Sequence, residues 1–275
     1  MKEVYNMEIK FLGSGGGLVS PDVNYHSNMV VTFDNGYKLL IDAGTHIQFS
    51  LAEAGIKPED IDGIAITHQH ADHVGGLEWL AFYNKFMVNR DEKLHLFYGE
   101  RRAGGYPSEA LSELWETTLK GGLEILNKSK VTIKEYFDIY KSLGGVRFIP
   151  NNHLEYTTKV NTHNKLAQDI KSYAFSFSLL LENVFISGDA KYPTEQMLNI
   201  MQQVDTVFYD CEFANYEGSV HAQYHELKQL PDDIKSKMYL YHHNLTNKDI
   251  DDAMNTFVKE AGFAGIVKKG DTFTV

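Results

Sequence analysis

The chain has 275 residues, 43% of them hydrophobic and 23% charged, with a formal net charge of −11 at pH 7. That length can bury a large core, and no apolar run approaches the roughly 20 residues that a membrane-spanning helix needs. The acidic balance argues against the broad basic surface that holds long nucleic acids, but not against a small anionic substrate, since bound divalent ions supply local positive charge.

Strand-like and helix-like runs alternate along the chain. The first strand is expected at Met7–Leu12, followed by Gly13-Ser14-Gly15-Gly16-Gly17. A dinucleotide fingerprint would need glycine at position 18, which is Leu18, and no Gly-Lys-Ser/Thr follows. Strands Met29–Phe33 and Lys38–Ile41 are joined by Asp34-Asn35-Gly36, a strong hairpin signal. A helix is expected at Thr45–Ala54, capped by Thr45. Next come a strand at Gly63–Thr67, a helix at Gly75–Phe86, a strand at Leu94–Tyr98 and a helix at Ser108–Leu119. Strands at Val131–Tyr136 and Val146–Ile149 precede a second hairpin, Ala174–Leu181 with Asn183–Ser187. A helix at Pro193–Met201, a strand at Thr206–Tyr209, a helix at Ala222–Leu230 and a strand at Lys237–Tyr241 lead to a last helix, Asn247–Val258, capped by Thr246. This order suggests sheets covered by helices. With no linker or repeat, one domain is expected over 1–275. Cys211 is the only cysteine, so neither an intrachain disulfide nor an all-cysteine zinc site can form. No basic-plus-apolar leader opens the sequence, and a cytoplasmic protein is expected.

The stretch that carries chemistry follows the strand ending at Thr67: His68-Gln69-His70-Ala71-Asp72-His73, then Val74-Gly75-Gly76. Positions 68 and 70 project together from an extended segment, and 72 and 73 fan out as the chain turns. Imidazoles and a carboxylate are the ligands that zinc and similar divalent ions prefer.

This stretch resembles the His-x-His-x-Asp-His signature of the metallo-β-lactamase superfamily. Met7–Gly13 is similar to that family's opening strand and glycine loop, and Leu40-Ile41-Asp42-Ala43-Gly44 to the strand and turn ahead of the signature. The resemblance implies an α/β fold of four layers, αββα, with two mixed sheets flanked by helices. It implies three more ligands: His153 in Pro150-Asn151-Asn152-His153, Asp189 in Ser187-Gly188-Asp189, and His242, favoured over the adjacent His243. One ion would take His68, His70 and His153, the other Asp72, His73 and His242, with Asp189 bridging. Two divalent ions, Zn²⁺ first and Mn²⁺ as the alternative, would then activate water and hold an anionic substrate for in-line attack. Asp42 reads as a support for the metal histidines, and the Gly13–Gly17 loop as part of the site's rim.

The C-terminal part resembles the RNase Z-like phosphodiesterase branch, in which an additional histidine opens a helix about twenty residues before the last ligand. His221, in Gly218-Ser219-Val220-His221-Ala222, has that spacing. It would bind phosphate and protonate the leaving oxygen, work suited to an imidazole near neutral pKa. Asp72 is counted with it among the catalytic residues, and His225 reads as surface. The transfer-RNA endonucleases of this branch carry a long arm between the third and fourth metal motifs. Here residues 154–188 read as a short polar loop and a hairpin, so the arm is expected to be absent. Extra sequence lies instead at 87–145, with Tyr98, Arg101, Arg102, Gly104-Gly105-Tyr106-Pro107 and Trp115. It reads as a pocket lining, a dimer contact or a surface excursion.

The remaining resemblance is to small phosphodiesterases that open cyclic nucleotides, among them phage-encoded anti-Pycsar enzymes and bacterial relatives. It implies hydrolysis of 3′,5′-cyclic mononucleotides such as cAMP, cGMP, cCMP and cUMP, which would disable antiviral signalling from a host cytoplasm. It also implies a homodimer with no membrane or long nucleic-acid partner. The alternatives are a tRNA 3′-processing nuclease, which would need a basic surface or arm, and a lactonase, which would not need His221. A non-catalytic nucleotide binder should lack ligands that this chain has.

Overall fold

Successive side chains along the central strands point to opposite faces, and those two faces enter different cores. The computed structural model describes residues 6–88, 92–99, 114–125, 131–140, 143–153, 155–160, 168–173, 176–245 and 252–275. The first sheet contains β1 (Met7–Phe11), β2 (Met29–Phe33), β3 (Lys38–Ile41), β4 (Gly63–Ile66), β5 (Leu94–Tyr98), β6 (Phe137–Tyr140) and β15 (Thr272–Thr274). Its order is β15-β1-β2-β3-β4-β5-β6, parallel from β3 to β6. The second contains β7 (Val146–Pro150), β10 (Phe177–Leu181), β11 (Val184–Ile186), β12 (Thr206–Asp210), β13 (Met238–Tyr241) and β14 (Gly265–Ile266). Its order is β14-β13-β12-β11-β10-β7, with only β10 running against its neighbours.

Ile9, Phe11, Val31, Leu39, Ile41 and Ala65 of the first sheet meet Leu179, Leu181, Val184, Ile186, Phe208 and Tyr241 of the second in one buried layer. The opposite faces turn outward under helices. Leu40, Ile64, Ile66 and Leu96 are covered by α1 (Ile47–Glu53), α3 (Leu77–Phe86), the π-helical turn Trp115–Leu119 and α4 (Lys120–Ile125). Phe185, Val207, Tyr209 and Leu240 are covered by α5 (Glu195–Gln203), α6 (Tyr224–Leu227), α7 (Asp232–Lys235) and α8 (Asp252–Glu260). The result is the expected αββα sandwich. No described helix is long and apolar enough to cross a membrane.

Several local expectations need correction. Residues 131–136 hold a 3₁₀ turn, Ile133–Glu135, because Ile133 and Tyr136 anchor in the first outer core; the strand follows at Phe137–Tyr140. α1 starts at Ile47 behind His46, with no side-chain cap, and Thr45 is exposed. The described residues of 87–145 are not a surface excursion: β5, β6 and the helix from Trp115 supply Leu94, Leu96, Trp115, Leu119 and Phe137 to the core. Arg101, Arg102, Gly104–Pro107 and Thr246 lie outside the described residues. The polar loop expected after His153 is instead a two-stranded ribbon, β8 (Glu155–Val160) and β9 (Gln168–Tyr173), paired antiparallel. Its strands, about 20 Å long at the usual rise, stand in the chain where the tRNA endonucleases insert their arm.

Candidate metal centre

The site lies where β3, β4, β7, β11, β12 and β13 all end. Within each sheet these strands run the same way, and the side chains carried by their C-terminal loops meet at one place. After β4, Thr67–Gln69 lie outside regular secondary structure, and the extended His70 (ψ 153°) leads the chain into the short helix α2 (Ala71–Val74), which carries Asp72 and His73. Gly44 lets this turn sit against the Asp-Ala-Gly loop: a Cβ there would lie 2.0 Å from the Asp72 carbonyl oxygen. Gly17 of the glycine loop packs against the Asp72 carboxylate, where a Cβ would be 3.0 Å from Oδ2.

All seven residues expected around the ions converge. His70 Nδ1 lies 3.0 Å from His68 Nε2 and 3.3 Å from His153 Nε2. Asp189 Oδ2 is 3.5 Å from His68 Nε2 and 3.6 Å from His153 Nε2. Its other oxygen, Oδ1, is 3.1 Å from both His73 Nε2 and His242 Nε2. Asp72 Oδ2 closes that second group at 3.2 Å from His73 Nε2 and 3.3 Å from His242 Nε2. Asp189 thus turns one oxygen to each group. His243 points away and donates Nε2–H to the Val267 carbonyl at 3.0 Å.

These donor sets fit divalent cations. Ligands at zinc distance in a tetrahedron stand about 3.3 Å apart, close to the separations found. His73 Nε2 and Asp189 Oδ1 are buried and 3.1 Å apart, yet neither has a hydrogen-bond partner. The centre also calls for positive charge. Burial opposes protonation of His73 and His242, but Asp189, with Asp42 and Asp72 near His73 and Asp210 near His242, raises both well above the usual imidazole range. Burial likewise opposes ionisation of Asp189, and His242, His73 and His68 overcome it, holding that carboxyl well below its usual range.

Neighbouring groups fix the rings. Asp42 accepts from Thr67 N (2.8 Å), Thr67 Oγ1 (2.7 Å) and His73 Nδ1 (2.7 Å), leaving His73 Nε2 to face the site. His153 donates Nδ1–H to the Val220 carbonyl at 3.0 Å. Asp42 and His242 both have left-handed backbones, φ 60° and 58°.

His221 stands beside the centre. It lies in the loop before α6 rather than opening that helix, which starts at Tyr224 behind a Gln223–Glu226 capping box. Its ring stacks on His242 with centroids 4.9 Å apart. It donates Nδ1–H to Asp210 Oδ2 at 2.7 Å, and the same oxygen accepts from Ala190 N at 2.9 Å. Burial lowers the proton affinity of His221, but the Asp210 charge outweighs it and raises the pKa. Sequence reading missed Asp210, whose one signal is its place at the end of a buried strand. His225 is exposed. Thr117, on the π-helical turn, donates to Gln69 Oε1 at 3.0 Å, so the 87–145 span reaches the signature itself.

A family profile described as "Anti-Pycsar protein Apyc1" matches residues 7–273. A protein of that description from Bacillus phage BSP38 is 30% identical over 285 residues, covering 98% of this chain and 99% of its own. Another, from Bacillus phage vB_BveM-Goe7, is 31% identical over 256 residues and 90% of each chain. The crystal structure of the metallo-β-lactamase fold protein YhfI from Bacillus subtilis superposes with a TM-score of 0.65 at 14% identity, covering 98% of this chain and 100% of that one. The sandwich is therefore a metallo-β-lactamase fold.

Proposed function

The chain belongs to the anti-Pycsar protein Apyc1 family, and on that premise we propose that it is a metal-dependent phosphodiesterase that opens 3′,5′-cyclic mononucleotides. The observation that carries this reading is the Asp189 carboxylate between two histidine-rich donor groups, with the Asp210–His221 pair at their side. His68, His70, His153 and Asp189 would hold one divalent ion, and Asp72, His73, His242 and Asp189 a second. Such ions supply Lewis acidity toward a phosphoryl group and lower the pKa of water. His221 holds a proton because Asp210 fixes its Nδ1–H and favours the imidazolium. Its Nε2 then delivers that proton to the ribose oxygen as the phosphorus–oxygen ester bond breaks, and one water is consumed per ring opened.

The exposed His70 leaves the centre open to solvent, as a small diffusible substrate requires. Loss of a cyclic nucleotide would end the signal it carries, the role that the relatives' name points to. One domain acting as a homodimer, with no membrane or long nucleic-acid partner, completes the reading. The ribbon β8–β9 gives the tRNA nuclease alternative a structural foothold, so the deciding experiment includes that substrate. The protein is incubated with cAMP, cGMP, cCMP, cUMP and a pre-tRNA, with Mn²⁺ or Zn²⁺ supplied. Ring opening of one or more cyclic nucleotides is expected; cleavage of the pre-tRNA alone would replace this reading with the nuclease.

A further inference from the structure

We propose that Asn151 is a positioning residue that clamps His153 and Asp189 in fixed mutual register. The two loops that carry these residues follow β7 and β11, and β10 lies between those strands. Two strand spacings amount to about 9.6 Å, too far for a backbone ladder to join the two ends. Asn151 spans the gap. Its backbone N–H donates to the Ser176 carbonyl at 3.0 Å, just ahead of β10. Its side-chain Nδ2 donates to the carbonyls of Ser187 and Asp189, each at 3.0 Å. Its Oδ1 accepts from the His153 backbone N–H at 3.3 Å.

An amide NH₂ has two protons. The two carbonyls use both, which makes the 3.4 Å contact to Ser178 Oγ the weakest of the set. The carbonyls flank Gly188, whose left-handed backbone (φ 59°) brings a Cβ position to 2.7 Å from the Phe177 carbonyl oxygen. This turn cannot take a side chain, so its orientation depends on what its carbonyls bond. Asn151 is 9% exposed; without its donors the Ser187 carbonyl would keep Ser178 Oγ at 2.6 Å and the Asp189 carbonyl only Ser176 Oγ at 3.5 Å, so the loss falls mainly on the buried Asp189 carbonyl. A short side chain with one acceptor and two donors is what this geometry demands, and asparagine alone provides it.

The proposal rests on the metal assignments above for its consequence, but the clamp joins groups of the chain itself. His153 belongs only to the first donor group, whereas Asp189 serves both. Releasing the clamp should therefore weaken one ion more than the other. Partners that orient metal ligands typically contribute about 10–100-fold in affinity, and a loss of that order is expected at one site.

The test uses metal-free wild type and the variants Asn151→Ala, Asn151→Asp and Asn151→Ser, titrated with Zn²⁺ against a chromophoric chelator. Hydrogen–deuterium exchange of residues 150–153 and 187–190 is followed in the same metal-free samples. Asn151→Ala should lose one tight zinc and speed exchange in both segments, and Asn151→Ser, with one donor left, should fall between it and wild type. Asn151→Asp should lose at least as much as Asn151→Ala, although its added negative charge by attraction alone would tighten zinc. If Asn151→Ala does not fold, the serine and aspartate variants decide. Wild-type zinc affinity with unchanged exchange in the variants overturns the clamp. So does an aspartate variant whose exchange in both segments matches wild type in the metal-free state, because the donors would then be irrelevant. A wild-type chain that binds fewer than two ions would sink the two-ion reading, while the exchange comparison would still judge Asn151.

Discussion

Asp42 gives the sharpest test of how the chain holds its centre. It is 2% exposed and its carboxylate accepts three hydrogen bonds, from Thr67 N, Thr67 Oγ1 and His73 Nδ1. Asp42→Ala removes both acceptor oxygens and with them all three bonds. The Thr67 hydroxyl can rotate toward His68 Nδ1, 3.2 Å away. His73 can move its proton to Nε2, which faces Asp189 Oδ1 at 3.1 Å and Asp72 Oδ2 at 3.2 Å, but the Thr67 amide has no such escape. Leaving a buried donor unpaired costs about 1–3 kcal/mol, so the metal-free variant should lose roughly that much folding stability, a sizeable share of the roughly 5–15 kcal/mol of a typical domain. His73 also loses the bond that aims Nε2 at the site, and zinc affinity in the group of Asp72, His73 and His242 should drop by about 10–100-fold. Denaturant unfolding of the metal-free protein reads the first quantity, and chelator competition the second. Asp42→Asn, which keeps one carbonyl acceptor, should fall between. An Asp42→Ala chain with wild-type unfolding midpoint and both zinc affinities intact would refute the assigned support.

Other expectations follow from the same geometry. Elemental analysis after metal-replete purification should find two divalent ions per chain, and Asp189→Ala should lose both; one ion or none in the wild type would contradict the two donor groups. His221→Ala should keep its metals yet lower kcat on a cyclic nucleotide by about 10²–10⁴-fold, with a much smaller drop on bis-p-nitrophenyl phosphate, whose leaving group needs little protonation. Equal loss on both substrates would end the proton-donor role. Light scattering should give about twice the 31.2 kDa of one chain, and a monomer mass at micromolar concentration would exclude the homodimer.

The metal motif was legible in sequence because its four residues are packed into one turn and announce their chemistry by type and spacing. His153, Asp189 and His242 are scattered, and only the resemblance to a known family tied them to the signature. Asp210 and Asn151 were invisible for a physical reason. Each acts by reaching a loop that follows another strand of the sheet, and strand order is a property of the sheet, not of any local stretch. The ribbon of Glu155–Val160 and Gln168–Tyr173 was hidden differently. Its β-branched residues, Thr157, Thr158 and Val160, are diluted by lysines and glutamate, which read as a polar loop. The turn at 133–135 shows the converse error: apolar residues that anchor a loop in the core mimic a strand by composition.

Asp42 and His242 point to where local preference yields to the centre. Each adopts a left-handed backbone without being glycine, a conformation that costs about 1–2 kcal/mol for an ordinary residue. Glycine would remove that cost at either position. Glycine would also remove the carboxylate that aims His73 or the imidazole that faces Asp72 and Asp189. Each strand end is therefore held in a costly conformation by the very side chain that makes it useful. Such conflicts between backbone preference and side-chain chemistry concentrate at functional sites. A third such residue, Glu182 (φ 49°), turns the β10–β11 hairpin, whereas Asp42 and His242 follow β3 and β13, whose C-terminal ends open onto the same cluster of histidines and carboxylates.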